Sequence, residues 1–553
     1  MARTPSFDTR TPVDFVIIGS GAAGGILAKE LSTAGFEVVV LEQGPYLKQQ
    51  DFKHDELGYF FNSELIGGPS DNPQTFRRTD KEKAEIQNAP LPLVYARMVG
   101  GSSAHWTANA WRFHPEEFRE KSLWGPIDGA NVADWPITYE ELEPYYTKVD
   151  WEIGVSGAVG PFDPPRSRPY PMPPLPVKSS GVLLEKGAKS LGLHAQPAPM
   201  AILSQPFNNR PSCIHCGFCI GYGCEIGAKS SSLSAMIPLA EATGRCEIRP
   251  NSTVIRLEVN DKGRIEEVVY LDENNVEHAQ RAKTVILSAN GAETARLLLM
   301  SESSVFPDGL ANSSGMVGKN LMFNGNVNVM GKFPEPLNEY KSVQVTRIIH
   351  DFYDTDPKRG FYGGGAIDAR TMFHSSPIFF GLTGLPYDAP TWGSEYKKML
   401  SENFTRTVKF DGHCSSLPRE SNNITLDPEV KDSKGRPAIR TTYQDHPDDL
   451  KVLSFLKPIM LDMMEAAGAE KIWADEVIEA EVGAHLLGTC RMGHDPKSSV
   501  VDANHKSHDI PNLFICDGSS LVSSGRGQPT MTIMALAFRA AEKIIAFAKK
   551  GDV

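Results

Sequence analysis

The strongest pattern at the start of the chain is an apolar run of strand length, Val13-Asp14-Phe15-Val16-Ile17-Ile18, leading straight into glycines. From Gly21 to Gly35 the apolar residues recur at helical spacing and put Ile26, Leu27 and Leu31 on one face. Val38-Val39-Val40-Leu41 is a second short apolar run, ending at Glu42, and reads as a buried strand. The pattern predicts strand, turn, helix, strand. Near the other end, Asn512 to Ser519 predicts a strand stopping in a sharp turn, and Thr530 to Ala548 a helix. Pro164 to Pro176 is proline-dense and predicts an extended crossing segment between domains. No internal repeat and no low-complexity tract is found.

Composition sets limits on this picture. With 41% apolar residues among 553, the chain can bury at least one large core, in two interleaved domains or about three separate ones. A net charge of -12 without a basic run argues against nucleic acid as a partner. No stretch approaches the ~18 consecutive apolar residues of a membrane span. The polar start, Met1 to Val13, lacks the apolar region of an export signal, so the expected location is cytoplasmic. A periplasmic location would require co-export with a signal-bearing partner subunit. Eight cysteines in so long a chain do not suggest a disulfide scaffold.

The turn Gly19-Ser20-Gly21-Ala22-Ala23-Gly24 sits where strand gives way to helix, the context a dinucleotide fingerprint requires. Gly19 permits the tight turn, Gly21 lets the backbone approach a pyrophosphate, and Gly24 lets helix and strand pack closely. The helix N-terminus then faces the phosphate charge. Glu42, closing the second strand, is placed to accept hydrogen bonds from ribose hydroxyls. This motif alone does not separate FAD from NAD.

Other segments do. Val99-Gly100-Gly101-Ser102-Ser103-Ala104-His105-Trp106-Thr107 is a second glycine turn, of a kind that lies along a flavin. With Thr284 to Met300, His485-Leu486-Leu487-Gly488-Thr489-Cys490-Arg491-Met492-Gly493 and Asn512 to Ser519, the chain resembles the glucose–methanol–choline (GMC) oxidoreductases over its full length. Among them it is most similar to the flavoprotein subunits of bacterial sugar dehydrogenases, and more distantly to pyranose oxidase. The resemblance implies an α/β, α+β overall, architecture: a Rossmann-like FAD domain interleaved with a sheet-plus-helix substrate domain. The flavin domain would take residues 10–130, 200–324 and 482–553; the substrate domain and crossing segments would take 131–199 and 325–481. It also places Gly100, Gly101, Ser102, His105, Trp106, Thr107, Val254, Asp517 and Gly518 among the flavin-binding residues.

In several similar sugar oxidoreductases the histidine at the position of His105 is bonded to the flavin. Such a link retains the cofactor and raises its potential; the alternative is a histidine that hydrogen-bonds in a turn. Alcohol oxidation needs a base for the hydroxyl proton and flavin N5 placed to take the hydride, and histidine suits the first task. His485 occupies the family's base position, whereas His494, His505 and His508 read as loop residues. Gln528, in Gly527-Gln528-Pro529-Thr530, departs from the asparagine or histidine usual there. Its amide can donate to a substrate oxygen but cannot act as a base.

Four cysteines, Cys213, Cys216, Cys219 and Cys224, have the spacing C-x2-C-x2-C-x4-C among glycines. This is chemistry suited to an iron–sulfur cluster that passes electrons singly to an external carrier. Structural zinc and bare thiols remain alternatives. Cys246, Cys414, Cys490 and Cys516 read as isolated buried thiols. The expected activity is oxidation of a secondary hydroxyl of a sugar or glycoside to a ketone, with an acceptor other than oxygen. An oxidase making hydrogen peroxide, or a dehydrogenase of a non-sugar alcohol, is the alternative, and an electron-transfer or binding subunit with a vestigial flavin site a more distant one. Relatives suggest a small companion subunit and a cytochrome acceptor.

Overall fold

The computed structural model describes residues 5–58, 68–87, 91–370 and 376–552. Met1 to Thr4, the first part of the polar start, lie outside them. The strands Val13–Ile18 and Val38–Leu41 pair in parallel, Phe15 opposite Val38, around the helix Ala22–Thr33. Parallel strands covered on both faces must be apolar throughout, and Val38, Val39 and Val40 are fully buried. Cys246–Arg249 extends this sheet beyond Val38–Leu41. On the other side the second half of Glu277–Leu287 pairs with Val13–Ile18, and Leu513–Ile515 pairs beyond it, both parallel. The first half of Glu277–Leu287 continues as an antiparallel meander with Ile265–Leu271 and Thr253–Val259.

Ala22–Thr33 packs between Ile237–Ala242 and the long helix Thr530–Lys550. Ile26, Leu27 and Leu31 are its fully buried face. Tyr139–Val149 lies against Thr530–Lys550, with the Tyr146 and Thr532 hydroxyls 2.6 Å apart.

A second sheet of six antiparallel strands runs in the order Lys471–Ala474, Asn326–Lys332, Thr407–Cys414, Gly365–Ala369, Arg347–Ile349, Ala195–Pro197. Its two faces differ sharply because side chains alternate along a strand. Val408, Phe410, Cys414, Val327, Val329 and Ile367 pack under the helices Ser179–Ser190 and Pro447–Ala467. Lys409, Asp411 and His413 point the other way, toward the first domain, and all three are buried. Residues 164–176 form no helix or strand, apart from the single bridge Met172–Ser156.

A third sheet pairs Asn423–Lys431 with Pro437–Thr442 and continues through Gln74–Arg77 to Glu85–Gln87. It joins segments far apart in the chain and so ties the two larger units together.

The helix pair over the second sheet meets at Gly187, where a Cβ would come within 2.4 Å of the Met463 carbonyl oxygen. Gly187→Leu should therefore destabilise the protein by about 1–3 kcal/mol, the usual range for overpacking. The measurement is the urea midpoint of the full-length protein, and an unchanged midpoint would contradict this packing.

Candidate active site

The carboxyl ends of the parallel strands carry the glycines. Gly19 has φ +94°, and a Cβ there would lie 2.4 Å from the Ser288 carbonyl oxygen. A Cβ on Gly24 would lie 2.0 Å from Gly19 O, so the close packing of helix on strand needs both glycines. Gly21 is different. A Cβ there would reach only Gly101 Cα, at 4.0 Å, so its bareness leaves open space rather than relieving a clash. Ala22–Thr33 has no side-chain cap at Gly21 and no acid in its first turn. Its free N–H groups and positive dipole end face that space, an arrangement that fits an anionic pyrophosphate. Thr530–Lys550, which follows Gln528 and Pro529, is likewise uncapped.

Ser20, the residue between the first two glycines, is a joint that sequence reasoning passed over. Its hydroxyl donates to Glu42 Oε2 at 2.7 Å and accepts from Gly100 N at 2.9 Å, binding the two glycine turns to the acid. Glu42 also accepts from Ser20 N and Gly44 N, and burial pushes its carboxyl up despite these bonds. Its carbonyl accepts from Ser252 N, which brings the strand holding Val254 alongside. Gly100 and Gly101 both have positive φ and open the short helical turn Gly101–Ala104, where the Ser102 hydroxyl accepts from Ala96 N. Asp517 is saturated by its own chain. Its carboxylate accepts from Thr294 Oγ1, Asn290 N and both N and Oγ of Ser519, which holds the turn at Gly518 against the Leu486 backbone.

His105 follows the second turn. Its Nε2 is buried with no hydrogen-bond partner, as is the indole nitrogen of Trp106. Burial, then the charge of Lys229, pushes the His105 imidazole down to about 4, so it is neutral and nucleophilic at ordinary pH. The cysteine loop sits directly on this turn: Gly221 N donates to His105 O at 2.8 Å. Lys229 completes the junction. It is fully buried and donates to the carbonyls of Trp106, Cys219 and Tyr222. A lysine two positions past the last glycine of a cysteine loop gives no periodic signal, and its role shows only in three dimensions.

The cysteines Cys213, Cys216, Cys219 and Cys224 line one small cavity together with His54 and Lys229. Burial pushes Cys213 up to about 11, Cys219 up to about 12, and Cys216 upward as well. A single zinc ion needs thiolates about 3.8 Å apart in a tetrahedron of 2.3 Å bonds. No three of these sulfurs converge within 4.8 Å, whereas Asp368, Asp411 and His413 do. That carboxylate group already has its cations. Arg370 makes two hydrogen bonds to Asp368, at 3.2 and 2.6 Å, and Lys409 lies 3.7 Å from Asp411. It is a charge-balanced network, with His413 Nε2 3.0 Å from Asp368.

This network adjoins the expected catalytic pair. His485 Nδ1 is 3.2 Å from Asn324 Oδ1, and the Asn324 amide donates in turn to Gly525 O. A Cβ on Gly527 would sit 2.7 Å from His413 Cβ, so the turn leading to Gln528 lies against the polar sheet face. Burial, then the charges of His413 and Arg370, pushes His485 down to about 3. The imidazole is thus neutral, with Nδ1 oriented and Nε2 left for a substrate proton. Asn324, His413, Asp368 and Arg370 were not anticipated. The alternation Lys409-Phe410-Asp411-Gly412-His413 was the signal that could have found the sheet face.

Two family profiles, both described as GMC oxidoreductase, match residues 13–324 and 418–537. The chain is 34% identical to a 2-methyl-1,2-propanediol dehydrogenase of Mycolicibacterium austroafricanum, over 96% of this chain and 95% of that protein. It is 31% identical to the fructose dehydrogenase large subunit of Gluconobacter japonicus, over 97% and 98%. The fold is also that of pyridoxine 4-oxidase from Mesorbium loti, with TM-score 0.61 at 17% identity over 96% and 99% of the two chains. Formate oxidase matches with TM-score 0.66 at 16% identity, over 98% and 100%. Matched by both profiles, the chain belongs to the GMC oxidoreductase family, flavoproteins that oxidise CH–OH donors of alcohol or sugar type.

Proposed function

We propose that this protein is an FAD-dependent dehydrogenase that oxidises a hydroxyl of a sugar or glycoside to a carbonyl and passes the electrons to an acceptor other than oxygen. The observation that carries the reading is His485, a neutral imidazole oriented by Asn324, whose amide donates to Gly525 in the turn that leads to Gln528. FAD would be held by Gly19, Gly21 and Gly24 with the bare end of Ala22–Thr33, by Glu42 and Val254, and by the turn from Gly100 to Thr107. The strand end at Asp517 and Gly518 would complete the site. Bound there, the flavin supplies the oxidant that takes up the substrate's hydride. His485 accepts the hydroxyl proton, and Gln528 orients the substrate oxygen through its amide. The polar sheet face keeps the reacting carbon away from bulk water.

A small diol is a second substrate reading, favoured by the relative named for 2-methyl-1,2-propanediol. The carbon bearing its tertiary hydroxyl has no hydrogen to give, so that relative's substrate offers only its primary CH–OH for oxidation. Support for a companion subunit comes from the relatives named as a large subunit and as a gluconate 2-dehydrogenase flavoprotein of Pantoea cypripedii, the latter 29% identical over 96% of this chain and 93% of that one. No helix among the described residues is long and apolar enough to cross a membrane.

The cysteine loop is read as an iron–sulfur site on the compact spacing of Cys213, Cys216, Cys219 and Cys224, which line one cavity. The cluster's chemistry is single-electron transfer. Its loop abuts the His105 turn, which fits a relay from flavin to an external acceptor.

His485→Ala should slow anaerobic flavin reduction by a factor of about 100 or more while flavin content stays intact. Because burial keeps His485 neutral, reduction by the wild type should be flat in pH from 5 to 8. A limb near the usual histidine value that vanishes in the variant would contradict the lowered basicity, and an unchanged reduction rate in the variant would remove His485 from the mechanism. His105 should hold the flavin covalently, so acid-precipitated wild type stays yellow and His105→Ala releases its colour to the supernatant; equal release from both would exclude the link. Anaerobically purified protein should contain iron and acid-labile sulfide, lost in Cys216→Ser. Zinc or no metal in the wild type would reject the cluster.

A further inference from the structure

Beyond His485 and Gln528, a row of uncharged polar groups lies without partners. Thr107 is followed by Ala108 in a left-handed turn, φ +69°, and past it Asn109 bridges to Met200, Trp111 comes two positions later, and Arg112 pairs with Glu143 and Asp150. Asn109 is 1% exposed and Trp111 2%, yet both amide atoms of Asn109 and the indole nitrogen of Trp111 lack any hydrogen bond. His350 stands edge-on to Trp111, ring centroids 4.9 Å apart, and both its nitrogens are also buried and unpartnered. Trp111 also meets His413, ring centroids 5.8 Å apart, and His413 rests against Gly527 next to Gln528.

Leaving such groups buried without partners costs about 1–3 kcal/mol each. Trp111 and His350 in contact, with Asn109 two positions before Trp111, point to a partner that arrives with the substrate. Charge identifies its class. Arg370 is held by Asp368, Lys409 by Asp411, and Arg526 by Glu120 and Thr355, so each cation is already committed. Burial first, and the neighbouring His114, push His350 down to about 3, which keeps it uncharged. An indole N–H donor, an amide that donates and accepts, and a neutral imidazole that does both match a hydroxyl, which also does both. Among the described residues, a carboxylate would meet no free cation there.

Resting on the dehydrogenase reading above, we propose that Asn109, Trp111 and His350 form a recognition site for a second, uncharged hydroxyl of the substrate, selecting neutral diols and polyols over monoalcohols and hydroxy acids. Because the site lies past the oxidised carbon, its loss should weaken binding more than it slows chemistry.

The test is anaerobic flavin reduction by 1,2-propanediol against 1-propanol, and by glucose against gluconate, in wild type, Trp111→Phe and His350→Phe. The neutral diol and polyol should bind at least tenfold tighter than the monoalcohol and the acid. Each substitution should erase most of that preference while leaving saturation by 1-propanol and the limiting rate within about twofold, since one neutral hydrogen bond accounts for roughly tenfold. Equal binding of diol and monoalcohol by the wild type, or equal weakening of both by the substitutions, overturns the site yet leaves alcohol dehydrogenation standing. If no alcohol bleaches the flavin, the dehydrogenase reading falls. Calorimetric binding of the same four compounds to photoreduced protein, which cannot turn over, then still decides the subsite by the same preference.

Discussion

Three strands remote in sequence share one parallel register: Ile18 lies beside Leu287, and Leu287 beside Ile515. Everything chemical in the molecule depends on this pairing. Each strand ends at the same edge, and each delivers a turn there: Gly19 from the first, Ser288 to Asn290 from the second, Asp517 and Gly518 from the third. The turns then lock to one another, Gly19 against the Ser288 carbonyl and Asp517 against Asn290 N. A crevice at the carboxyl edge of a parallel sheet is where such folds bind ligands. Its walls here come from segments no local interaction could have gathered.

The second constraint is the two-faced sheet. Its apolar side has an ordinary fate, covered by two helices. Its charged side is also buried, with Trp111 and Gly527 against His413, and is tolerable only because Asp368, Arg370, Asp411, Lys409 and His413 satisfy one another. Removing one partner of a buried pair commonly costs about 3–5 kcal/mol, so the network resists piecemeal change. Burial first, and then the charges of His413 and Arg370 from this network, depress the basicity of His485. Structural solvency of the sheet and the protonation state of the neighbouring imidazole are thus one electrostatic problem.

Much of the first domain was legible because its signals are local. The apolar run Val13–Ile18, the helical stripe of Ile26, Leu27 and Leu31, and the glycines between them depend on residues within one turn or strand of each other. The family resemblance likewise rested on contiguous segments, and the matches over residues 13–324 and 418–537 agree with it. What stayed hidden lies across long separations. Ser20 reads as a spacer until Glu42 and Gly100 are seen on its hydroxyl. Lys229 reads as a surface lysine until three carbonyls close around it. Trp111 and His350 lie on segments more than two hundred positions apart. Gln528 could be placed by motif, but its neighbour His413 comes from a strand more than a hundred positions away.

The third strand of the parallel set carries a consequence for biosynthesis. Asn512, at its start, bonds to Ile265, 247 positions earlier. A chain still being made therefore exposes the open edge of Glu277–Leu287 for the whole time that interval takes to synthesise. Unpaired strand edges in a partly made chain invite association with other chains. The Asp517 side of the crevice does not exist during that interval, so the crevice is completed only when the last part of the chain has been made. Shielding that edge until Leu513–Ile515 arrives is a demand that this strand order places on synthesis of the chain.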